Sequence, residues 1–195
     1  MKNIKNKEIK FFSILIIILL LLSTFYYIYH KLTLNKRNCK VLKEVYDTVP
    51  RLNSITTNNN YNEYGLRDFY VKSAYNCCSS GNFKNDFVNL CALETCINQG
   101  VRFLDFEIYS INDEPVIATS SVNDFTIKET YNYIPINDAF NLILSNAFSG
   151  GTCPNYQDPL ILHFRIMSNN CKMYNNLADI IVNNTRFNSR TLGKK

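Results

Sequence analysis

The longest apolar run is Phe11 to Tyr29, "FFSILIIILLLLSTFYYIY", which carries no charge. As a helix it reaches roughly 28 Å, close to the thickness of a bilayer's hydrocarbon core. The pattern predicts one transmembrane helix or signal anchor over 11–29, behind a basic flank over 1–10. The run ends in aromatics and a cation, as an interfacial belt does, and no small-x-small cleavage site follows. A retained single-pass anchor is therefore expected over a cleaved signal peptide. Residues 30–65 then turn polar, and "NSITTNNNYNEYG" has no apolar period, so this stretch is expected to be a juxtamembrane linker.

From residue 66 onward the pattern alternates between short apolar runs and helical periods. A short strand is predicted within "LRDFYVKSAYN", 66–76. A helix is predicted over about 85–98, with Asn85 as its cap. Phe87, Leu90, Cys91, Glu94 and Ile97 lie at helical spacing, all but Glu94 apolar, and Gly100 supplies a left-handed stop. "VRFLDFEIY", 101–109, is apolar on both alternating faces, as in a strand covered on both sides of a parallel sheet. "SINDEP" is a turn, "PVIATS" a second strand, and 134–148 a helix with Phe140, Ile143, Leu144 and Ala147 on one side. A strand over 160–167 and a helix over about 172–182 complete the order. This alternation predicts parallel βα units, too few to close an eight-stranded barrel of ~250 residues.

Charge changes the picture little. The formal net charge is +5, and much of the excess flanks the apolar run at Lys2, Lys5, Lys7, Lys10, Lys31, Lys36, Arg37 and Lys40. Lysines on both sides leave the membrane orientation open. No basic stripe interleaved with aromatics occurs, which argues against nucleic acid as a partner. The seven cysteines match no zinc spacing. They read either as buried thiols or, in an oxidising compartment, as disulfides. One glycosylation sequon, Asn183-Asn184-Thr185, is usable only on an exterior face.

The unusual chemistry lies in the 101–109 strand, where Asp105 and Glu107 fall two apart in an apolar run. Both point to one face, as do His163 and Arg165 on the 160–167 strand. Buried acids without a partner are costly or become protonated. We expect Arg165 to reach Asp105 or Glu107 and bind it as a fork.

Three stretches also carry a family resemblance: "NQGVRFLDFEIYSINDEPVIATS", "INDAFNLILSNAFSG" and "DPLILHFRIMSN". Together, from Ser73 to about Asn170, they resemble the X region of phosphatidylinositol-specific phospholipase C and its phosphodiesterase relatives. The resemblance implies a TIM-like barrel, of which 66–195 would hold the first three or so strands. A second chain would then complete it, or the chain is a truncated product. It also implies phosphoric diester hydrolysis by two histidines, a calcium held by carboxylates or a cation in its place, and a phosphoinositide or other phosphodiester ligand. Carried over by position, the first histidine falls on Ala74 and the second on Thr119. The calcium-site positions fall on Tyr75, Asp105, Glu107 and Arg165, a set short of the six to eight oxygens calcium prefers. Neither a metal nor another cofactor is therefore expected.

The chain has two histidines, and His30 flanks the apolar run, so only His163 is left for acid–base work. The expectation is a membrane-anchored, catalytically inactive relative. The alternatives are an active phosphodiesterase using His163, Asp105, Glu107 and Arg165, with Arg165 on the phosphate, or a cysteine-stabilised extracellular binding module.

Overall fold

The computed structural model describes residues 2–52, 54, 55, 64–82, 84–121 and 124–190. Most of "NSITTNNNYNEYG" and the last five residues lie outside them. The chain separates into a unit of residues 1–37 and a unit of residues 38–195.

The first unit is helix. Helix α1 runs from Lys2 to Asp47, and its large apolar side chains from Phe11 to Leu32 are exposed. It is long and apolar enough to cross a membrane, a description that an anchor and a signal sequence both meet.

The helix does not stop where the apolar run stops. It continues through 30–47, which the sequence pattern assigns to an irregular linker. Lys, Arg, Leu and Glu in this stretch are good helix formers, and Lys40 and Glu44 pair at i,i+4. Within the second unit, residues 38–47 also find partners. Asn38 Nδ2 donates to Asp86 Oδ1 at 2.7 Å, and Lys43 Nζ meets Glu94 at 3.1 Å. Gln99 Nε2 donates to the Tyr46 carbonyl at 2.7 Å, and Cys39 is disulfide-bonded to Cys91.

After a 3-10 turn at Leu66–Asp68 comes β1, Ser73–Ala74. Helix α2 spans Leu90–Asn98, five residues shorter at its start than the periodicity suggests. Its cap is Asn89, whose side chain accepts from Cys91 N at 2.8 Å. Asn85 instead takes a left-handed conformation in the preceding loop, which the bridges Ser79–Val88 and Asp86–Thr130 hold extended. Gly100 ends the helix at φ +75°, where a Cβ would lie 3.1 Å from Asn155 Oδ1.

Strand β2, Phe103–Ile111, is the centre of a five-stranded sheet. Asn112 and Asp113, both at positive φ, turn it into β3, Glu114–Ile117. Two left-handed residues in a two-residue loop match strand twist, which suits Asn and Asp. Strand β4, Ile134–Pro135, leads into α3, Ile136–Asn146, and then β5, Ile161–Ile166. Helices α4, Cys171–Asn183, and α5, Thr185–Asn188, follow. The expected alternation is present, with two additions: Ile134 and Pro135, expected as the start of a helix, pair as β4 instead, and α5 follows α4.

The sheet is mixed, where the sequence pattern suggests parallel pairing apart from one hairpin. Strands β1 and β5 run parallel to β2, whereas β3 pairs antiparallel with β2 and β4 with β3. β5 lines one edge of β2 over Phe103–Ile108. β1 and β3 share the other, at 103–104 and 108–111. The architecture is mixed α/β, and the described strands do not close into a barrel.

The two faces of β2 differ, contrary to the expectation of apolar cover on both. Leu104, Phe106 and Ile108 join one core with Leu93 and Ile97 of α2, Phe140 and Ile143 of α3, and Met173 and Leu177 of α4. The alternate residues Asp105, Glu107 and Tyr109 point the other way, where a smaller apolar cluster forms around Tyr109, Val116 and Ala118. The helices cover one face, and charge organises the other.

Candidate functional site: an arginine between two acids

Parallel pairing sets the site. In the β2–β5 register Asp105 lies beside His163 and Glu107 beside Arg165. All four side chains therefore emerge on the face away from the helices. The Asp105 and Glu107 side chains are 6% and 4% exposed, and that of Arg165 is 25% exposed.

The Arg165 guanidinium fills the space between the acids. Its Nε donates to Asp105 Oδ2 at 3.0 Å and its Nη2 to Asp105 Oδ1 at 2.7 Å, a two-pronged grip. Nη1 donates to Glu107 Oε1, and Nη2 also donates to Asn76 Oδ1. The exposed Tyr75 ring lies 4.3 Å from the guanidinium carbon, within cation–π range.

Each acid has further partners. Asp105 Oδ1 accepts from Asn76 N at 3.1 Å, and Oδ2 lies 2.6 Å from His163 Nδ1. Glu107 Oε2 accepts from Tyr109 Oη at 3.0 Å and Ser120 N at 3.1 Å. Burial alone would raise the Asp105 pKa. Bonds from Arg165, His163 and Asn76 N outweigh it and hold the group below the usual carboxylate range. Burial would likewise lower Arg165, but its bonds to both acids raise it instead. Burial, with the Glu107 charge behind it, raises the Tyr109 phenol.

The expected contact between Arg165 and the acids thus engages both of them. The resemblance's two histidine positions fall on different surroundings. Ala74 is the last residue of β1 and packs against the main core. Thr119 is 2% exposed, and its hydroxyl has no hydrogen-bond partner. Asn76, Tyr109 and Ser120 were not legible as site residues in the sequence. Asn76 follows a two-residue strand and sits at φ +47°, so strand alternation does not project its direction.

Calcium does not fit these residues. A guanidinium already occupies the carboxylate oxygens that would bind it, and an adjacent cation repels a second one. No group of three or more His, Cys, Asp or Glu among the described residues has the geometry to hold a metal. A cavity of about 280 Å³ adjoins the cluster at Tyr75 and Asn76 and contains Lys72, which donates to the Gln99 carbonyl at 3.0 Å.

No family model matches the chain, and no curated protein matches it by sequence.

Proposed function

We propose that this is a membrane-tethered protein on a phospholipase C X-type scaffold, in which a fixed ion cluster stands where the relatives do chemistry. One observation carries the reading: Arg165 is bonded to both Asp105 and Glu107. A general acid or base must change protonation at the working pH. Asp105 is held as a carboxylate by the guanidinium, and Arg165 is committed to two acids and an amide. The sequence supports the same direction, because Ala74 and Thr119 stand at the histidine positions of the resemblance. The long apolar helix supplies the tether.

A second reading keeps catalysis, and one contact favours it. His163 is 51% exposed and its Nδ1 is oriented by Asp105, as a carboxylate orients a working imidazole. A phosphodiester held near Arg165 and Tyr75 would then be the substrate. A module braced by three disulfides is less favoured, since one disulfide occurs among the described residues.

The test is turnover of phosphatidylinositol by the full chain in mixed micelles, with and without calcium. No release above the uncatalysed rate is expected in either condition. Turnover that His163→Ala abolishes would establish the second reading and overturn the first.

A further inference from the structure

We infer that the unit beginning at Asn38 matures on the oxidising side of a membrane, where Cys39 and Cys91 are joined as its disulfide. This rests on the membrane tether proposed above, and not on the state of the acid cluster.

The pair is held together by more than its own bond. Cys39 and Cys91 are separated by 52 residues in sequence, yet their Cα atoms lie 5.9 Å apart, inside the range a disulfide spans. Asn38–Asp86, Lys43–Glu94 and Gln99–Tyr46 flank them and hold residues 38–46 against α2 and the residues on either side of it. The folded domain therefore presents two thiols already in register for oxidation.

Four of the other five cysteines are poor competitors. Cys77, Cys78 and Cys153 are buried, and burial raises Cys77 well above its ordinary value. Burial pushes the Cys96 thiol up to about 12. Disulfide exchange needs an accessible thiolate; burial denies access at Cys77, Cys78 and Cys153, and the raised pKa disfavours the thiolate at Cys96. Cys171 is exposed and free. An oxidant acting on the folded domain thus meets one matched pair.

The step balances with a disulfide-bearing oxidoreductase as acceptor. The Cys39 thiolate attacks the acceptor's S–S bond and forms a mixed disulfide. The Cys91 thiolate then displaces the acceptor sulfur, closing Cys39–Cys91. Two electrons and two protons leave with the acceptor as its dithiol. Reducing compartments reverse such bonds, whereas secretory and periplasmic compartments preserve them. A single crossing by the apolar run then leaves the lysine-bearing flank, residues 1–10, on the reducing side.

The test counts reducible thiols in the full chain taken directly from its native membranes. Free thiols are blocked with N-ethylmaleimide under denaturing conditions. The protein is then reduced and labelled with polyethylene-glycol maleimide. Two labels are expected for the native chain and for Cys171→Ser, and none for Cys39→Ser or Cys91→Ser. In sealed vesicles with the reducing face outward, protease should leave the unit of residues 38–195 intact. No label on the native chain, or digestion of the domain from that face, would overturn the inference. Alkaline extraction of the membranes reads the tether separately, so a failed tether and a failed oxidation give different results.

Discussion

Replacing Arg165 with alanine strips the cation from two acids whose side chains are 6% and 4% exposed. Breaking a buried pair by removing one partner typically costs roughly 3–5 kcal/mol, because the remaining charge stays buried. Here the lower end applies. Arg165 is itself a quarter exposed, and Asp105 and Glu107 keep neutral donors from Asn76 N, Ser120 N and Tyr109 Oη. The expected loss is about 3 kcal/mol at pH 7. With a urea m-value of ~1.5 kcal/mol/M, the unfolding midpoint falls by about 2 M. Urea titration of the full chain in detergent micelles, followed by the signal of its 13 tyrosines, reads this directly.

The pH dependence carries a definite sign. In the native chain, Asp105 has a folded pKa below its unfolded value of about 3.9. Its contribution is present above that value and disappears as pH falls through the lower folded one. In Arg165→Ala, burial acts on Asp105 without the guanidinium, and its folded pKa rises. The penalty is then largest above that raised value and is relieved as pH falls toward about 4. The gap between variant and native chain should therefore narrow from pH 7 to pH 4. A midpoint shift under about 0.5 M at pH 7, or a gap independent of pH, would refute the cluster as described.

Two further outcomes test the frame around the site. Gly100→Ala should lower stability by about 1–2 kcal/mol in the same titration, since alanine is strained at φ +75° and its Cβ crowds Asn155. Phe106→Ala should cost about 3–5 kcal/mol, because Phe106 is 1% exposed and packs at the centre of the main core.

Strand alternation made the ion cluster legible. Once 101–109 and 160–167 were strands, Asp105 and Glu107 shared a face, as did His163 and Arg165. Parallel pairing then brought the two faces together. What escaped the sequence depended on contacts distant along the chain. The polar part of α1 has little apolar period of its own, and its partners lie on or beside α2. Asn85 and Asn89 are equally good caps by residue type, and the extended loop before α2 selects the second. Asn76 was hidden because its orientation comes from a left-handed backbone just past a two-residue strand.

The central place of β2 has a consequence for the order in which the fold is made. Its hairpin with β3 closes over two residues, so β2 and β3 can pair early, with Asp105 and Glu107 still hydrated. The arginine arrives only with β5, whose pairing with β2 links positions 58 residues apart. Longer loops cost more entropy to close, and non-local strand pairs form slowly. On these grounds the expected order is hairpin first and β5 later, so the two acids gain their counter-charge only with the long-range pairing, as a late latch.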